Sequence, residues 1–278
     1  MTDLLQRLKP KERRGSKPRC HFLTHGAPGQ VAENLTQLIS PFGSVSPADR
    51  WMPQGFDNIE EAQLDSVPGL LDPKAAAELR EWWLAAKTPT ARTPNFDIAS
   101  TCTIQGKLGL LLIEAKAHDE ELNKETPGKK RREASQGSET NHAKIAKAIV
   151  SARDGLHEAT ELEWHISRDS HYQMSNRFAW AWKLTELGFA VALVYLGFLN
   201  AQEMKDRGKP FANDSEWERL VKRHSKPLFP PKVWNRQWTI NGRPFIPLIR
   251  PSEQGLDFAS QEARLCPKPT PAKKDLNG

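Results

Sequence analysis

Asp97, Glu114 and Lys116 are the residues whose types and spacing could do chemistry. Two carboxylates and an ammonium can hold a hard divalent cation and stabilise a phosphoryl group under attack by water. Strand register decides whether they meet. Gln105-Gly106 separates two β-branched or apolar runs, Phe96–Ile104 and Leu108–Ala117. Glycine in the second loop position suits the two-residue turn that matches strand twist. Ile104 then faces Lys107, and counting outward sets Asp97 opposite Glu114. Side chains alternate along a strand, so Lys116 shares the face of Glu114. The other residues of that face, Ala99, Thr101, Thr103, Leu108, Leu110 and Leu112, are small or apolar. Directly opposed carboxylates have side-chain carbons about 5 Å apart and repel. Burial beside leucines adds a desolvation cost. A divalent cation, Mg²⁺ or Mn²⁺, removes the conflict. Metal-assisted hydrolysis of a phosphodiester, with Lys116 beside the attacking water, is the reaction these groups suit.

Regular elements surround the hairpin. Asp72 as N-cap and Pro73 in the first turn open a helix over Pro73–Lys87 with an apolar stripe of Ala75, Leu79, Trp82, Trp83 and Ala86. A charged stretch, Asp119–Gly137, follows the hairpin, then a helix from about Ser138 to His157. Tyr172–Leu187 reads as a further helix that stops at Gly188. Phe189–Leu199, almost entirely apolar, reads as a fully buried strand. Leu110–Ile113 is apolar on both faces, so its strand should be central. Helix, hairpin, helices and strand make an α/β core, a mixed sheet covered by helices. This core should span 73–200. A basic arm and irregular segment (1–72) with a short helix candidate, Gln30–Ile39, precedes it. A C-terminal extension (201–265) with short helices and an Asn241-Gly242 hairpin pairing Trp238 with Phe245 follows, then a Pro/Lys-rich tail (266–278).

Pro94-Asn95-Phe96-Asp97 and, seventeen positions after Asp97, Glu114-Ala115-Lys116 resemble the signature of the PD-(D/E)XK nuclease superfamily. The order of elements over Pro73–Asn200 resembles that superfamily's restriction-endonuclease-like core. One departure is that Asp97 follows Phe96 and not a proline. The resemblance implies that Asp97, Glu114 and the main-chain carbonyl of Ala115 ligate the metal and that Lys116 serves the attacking water. It also implies an acidic residue from the preceding helix, for which Glu78 is better placed than Glu81. Branches resembling recombination exonucleases carry a glutamine on the helix where Gln173 stands.

Other residues carry weaker expectations. Gln173, Arg177, Trp180, Leu184 and Leu187 share one helical arc, so Gln173 and Arg177 point inward and need polar partners, in a cleft or within the scaffold. His118 continues the face of Lys116 and could meet phosphate. Lys129, Lys130, Arg131 and Arg132 could ride on a nucleic-acid backbone, although a mixed-charge loop is usually a solvated one. The net charge of +6 permits a polyanionic partner, DNA before RNA. Cys20, Cys102 and Cys266 are odd in number and far apart, which argues against a disulfide framework. There is no run long enough to span a membrane and no secretory leader, so the expected location is cytoplasmic. A homodimer is compatible with cutting both strands but not required. The competing readings are a catalytically inactive module of the same fold that binds nucleic acid or a partner protein, and an unrelated α/β protein with a chance motif.

Overall fold

A computed structural model describes residues 4–85, 92–129 and 136–256. The helices are α1 (Ser16–Leu23), α2 (Pro28–Ile39), α3 (Pro73–Trp83), α4 (Asp119–Asn123), α5 (Gln136–Thr160), α6 (Tyr172–Glu186) and α7 (Asp214–Ser225). The strands are β1 (Gly43–Ser44), β2 (Trp51–Met52), β3 (Ala62–Gln63), β4 (Asn95–Phe96), β5 (Ile98–Ile104), β6 (Lys107–Lys116), β7 (Ala190–Phe198), β8 (Trp238–Ile240) and β9 (Arg243–Ser252). The protein is α/β, with a mixed sheet ordered β5-β6-β7-β9-β8 and the short β1 and β2 both on the outer edge of β5.

The register expected for the hairpin is the one observed: Ile104 faces Lys107, and the antiparallel ladder runs to Ile98 opposite Ile113. Gln105 and Gly106 both have positive φ, as a turn of this kind requires. β6 and β7 are parallel, as are β7 and β9. A parallel pair needs a crossover, and α5 and α6 supply it between β6 and β7. All nine residues of β7 are buried, which explains their near-continuous apolar character. Asp72 caps α3 as its sequence suggests, its Oδ1 accepting from the amides of Lys74 and Ala75. The Asn241-Gly242 hairpin sets Trp238 opposite Phe245.

The sheet does not stop at the edges of 73–200. β9 is a full neighbour of β7, and β8 extends it. The N-terminal segment covers the second face: Cys20, Leu23, Val31 and Leu35 pack with Ile98, Ile113, Ala115 and Val194. Arg19, buried on α1, donates to Glu203 beyond β7 and to the carbonyl of Gln254 beyond β9. Apolar periodicity could not reveal this, because α1 and β9 carry proline and charge inside their runs. Cys20 and Cys102 are buried free thiols, while Cys266 and the tail lie outside the described residues. Among the described residues no helix is long and apolar enough to cross a membrane.

Gly197 on β7 lies beside Lys116 on β6 and beneath the Trp217 ring of α7. A Cβ there would sit 2.4 Å from the indole. Gly197→Ala should therefore cost about 1–3 kcal/mol through overpacking. Urea unfolding measures this, and an unchanged midpoint would show that α7 yields freely.

Candidate active site

Central strand β6 presents Glu114 and Lys116, only 2 and 5% exposed, on the face that also carries Leu110 and Leu112. Asp97 arrives from β5, but not as one more rung of the ladder. The chain bends there: Asp97 donates its amide to the Ile113 carbonyl at 3.1 Å, and its Oδ2 accepts the Ala115 amide at 2.7 Å. β4 then leaves the main sheet to pair with β3. The expected single run Phe96–Ile104 is thus broken at Asp97, because its side chain takes a β6 amide that a backbone carbonyl would otherwise bind.

Glu114 is the hub. Gln173 Nε2 reaches its Oε1 at 2.6 Å, Arg177 Nε reaches its Oε2 at 2.6 Å, and the Lys116 ammonium also pairs with Oε1. Gln173 and Arg177 lie one turn apart on α6, and both point inward as their helical arc suggests. The Arg177 guanidinium also lies over the Phe96 ring at 4.6 Å and donates to Asn176 Oδ1 at 2.7 Å. It is buried and faces Glu114, not open solvent.

The electrostatics separate the two acids. Burial, then the charge of Glu114, push the Asp97 carboxyl up to about 8, against a smaller opposing pull from Lys116. Burial would also raise Glu114, but Arg177 and Lys116 outweigh it and carry that carboxyl down to about 2. Burial opposes the charge on Lys116, and Glu114, Glu125 and Asp97 outweigh it, so the amine stays protonated. The view that only a divalent ion can make the pair tolerable needs correcting for Glu114, which protein cations neutralise. It needs correcting for Asp97 too, whose negative charge is opposed and which a retained proton neutralises.

Two buried neighbours escaped the sequence reading. Glu125 forms the second ion pair of Lys116, at 2.8 Å. It sits in a charged stretch that reads as solvated, and nothing local marks it. Tyr195 lies beside Glu114 in the β6–β7 register, fully buried, with no hydrogen-bond partner for its hydroxyl among the described residues. A tyrosine in an otherwise apolar buried strand was the available signal, since a buried phenol normally finds a partner.

Several expected residues are not brought to this cluster. Glu78 is exposed on α3 and pairs loosely with Lys74 at 3.9 Å. The further acid whose charge is felt at Asp97 is Glu61, which precedes β3. His118 keeps the face of Lys116 but is buried against the 208–210 segment, bridging to Pro210. A Cβ at Gly208 would lie 2.4 Å from its Nδ1. Lys129 places its ammonium 4.7 Å from the Tyr172 ring. Lys130, Arg131 and Arg132 lie outside the described residues.

Among the described residues no group of three or more His, Cys, Asp or Glu is gathered as a metal cage. Mg²⁺ and Mn²⁺ do not need one: Mg²⁺ takes one or two carboxylates and keeps waters. Asp97 and Glu114, with the Ala115 carbonyl between Glu114 and Lys116, suit such an ion in donor type. Asp97, forced toward its neutral form beside Glu114, is where a cation would relieve the local field. No family model, curated protein or solved structure matches this chain.

Proposed function

We propose that the protein is a metal-dependent nuclease of the PD-(D/E)XK type, with a restriction-endonuclease-like core, hydrolysing phosphodiester bonds in DNA. One observation carries the reading: Asp97 accepts the amide of Ala115 at 2.7 Å, which brings it to the segment where Glu114 and Lys116 pair with each other. Asp97, Glu114 and the Ala115 carbonyl would hold Mg²⁺ or Mn²⁺, which when bound supplies a Lewis acid for a phosphoryl oxygen and acidifies a coordinated water. Lys116, whose positive charge Glu114, Glu125 and Asp97 favour, offers that charge to oxygens that become more negative as the phosphorus is attacked. Gln173 and Arg177 orient the Glu114 carboxylate. A non-catalytic binding module is the second reading, and it draws on the fact that protein donors already occupy both Glu114 oxygens.

Purified protein incubated with supercoiled, linear and single-stranded DNA, and with RNA, in Mn²⁺, Mg²⁺ or EDTA separates these readings. Metal-dependent cleavage is expected, reduced at least about 100-fold in Lys116→Met. Cleavage indifferent to EDTA, or equal in the variant, rejects the mechanism. Metal-independent binding without cleavage supports the second reading.

A further inference from the structure

Lys116 is gripped from two sides. Its ammonium pairs with Glu114 on its own strand and, at 2.8 Å, with Glu125 just beyond α4. The Glu125 side chain is 1% exposed, and its other oxygen lies 3.5 Å from His224 Nε2 in the last turn of α7. The His224 ring in turn meets that of His171, the residue before α6, at 4.8 Å. His171 and His224 line a cavity of about 140 Å³ that also touches Asp119 and Arg223. A file of polar side chains from four elements thus runs from the candidate site to a small cavity.

A buried carboxylate is costly unless it is paired. Among the described residues neither Glu125 oxygen makes a well-aligned hydrogen bond; the Lys116 ammonium lies 2.8 Å from one and the His224 ring nitrogen 3.5 Å from the other. A lysine is a point charge on a flexible four-carbon stem. The ammonium lies against Glu114, and Glu125 supplies a second carboxylate within ion-pair reach, so its place is set by two acids and not by one.

We propose that Glu125 is a positioning residue that sets the place of the Lys116 ammonium beside Glu114, with His224 next to its other oxygen. Its catalytic consequence rests on the nuclease reading; the hold on Lys116 does not. Supporting groups of this kind around a metal site are typically worth 10–100-fold in activity.

The test uses the full chain with Glu125→Gln, Glu125→Asp and His224→Gln. The first readout is the ¹⁵N resonance of the Lys116 ammonium, assigned by its loss in Lys116→Met. It should move in Glu125→Gln and return part-way in Glu125→Asp. The second is single-turnover cleavage in Mn²⁺. Glu125→Gln should lower the rate constant by about 10–100-fold with half-saturating DNA unchanged, and Glu125→Asp should recover part of it. His224→Gln should shift both readouts less, in the same direction, and carries the test if Glu125→Gln does not fold. A resonance that stays put in Glu125→Gln overturns the inference, as does a cleavage rate equal to wild type. A resonance that moves in a protein that cleaves no nucleic acid removes the nuclease reading and upholds the hold of Glu125 on Lys116.

Discussion

Asp97→Asn is expected to stabilise the protein at alkaline pH while abolishing metal-dependent cleavage. The two effects share one cause. Asp97 is partly buried near Glu114, and its carboxyl is carried from 3.8 up to about 8. Each unit of such displacement corresponds to about 1.4 kcal/mol, so the ionised side chain costs the fold several kcal/mol. The sign follows from proton counting. Between pH 4 and 8 the unfolded chain has released this proton and the folded chain keeps it. Native stability therefore falls as pH rises through that window. Asparagine removes the charge and retains an oxygen for the Ala115 amide, which Asp97 accepts at 2.7 Å. Urea unfolding at pH 5.5 and 8.5 should find the variant at least about 2 kcal/mol more stable at the higher pH, with a smaller gain at the lower. Cleavage should fall at least about 100-fold. Mn²⁺ binding by the wild type should tighten up to about pH 8, because the proton must leave before the ion can be held. A variant that is less stable than wild type at pH 8.5 would show that Asp97 serves the fold, and the coupled-acid reading would go with it.

The hairpin was legible in the sequence because its determinants are local. A two-residue loop with glycine fixes Ile104 opposite Lys107, and period-two alternation does the rest. The same holds for α6: helical spacing alone turns Gln173 and Arg177 inward, and the structure supplies Glu114 as their shared partner. Non-local features were not legible. Glu125 reaches Lys116 only because α4 folds back after β6, and its neighbours Glu120 and Glu121 belong to the same charged stretch. Glu78 is suitable by helical phase beside the apolar stripe, but Ala75, Leu79 and Trp83 take the core contacts and leave Glu78 exposed. β1, β2 and β9 fall in the segments read as flanking because their pairing with β5 and β7 is non-local and leaves no mark on the pattern of either partner. Register holds only as far as Ile98 opposite Ile113; Asp97, expected opposite Glu114, leaves the ladder through a side-chain bond to Ala115 that no strand pattern encodes.

Glu114→Gln should act in the opposite direction on stability and the same direction on activity. Glu114 balances two buried cations. Its loss leaves Lys116 with Glu125, but leaves Arg177 with the Asn176 amide oxygen and the Phe96 ring as its remaining contacts. Breaking one side of a buried ion pair costs about 3–5 kcal/mol, because the other charge is stranded. The pH dependence also inverts. Arg177 and Lys116 outweigh burial and hold the Glu114 carboxyl down at about 2. Its stabilising contribution is therefore fully present above the unfolded value of 4.5 and is lost as pH falls toward 2. Wild type should show that acid-side slope, and Glu114→Gln should lack it. Adding Arg177→Met removes the stranded charge, and most of the lost stability should return while cleavage stays absent. That pairing separates the two jobs of the carboxylate: neutralising Arg177 can be replaced by an uncharged pair, whereas donating oxygens beside Asp97 cannot. Equal stability of Glu114→Gln and wild type at pH 7 would mean the cluster is solvated in solution. The pKa displacement proposed for Asp97 would then lose its physical basis as well, since both depend on the same dry face of β6.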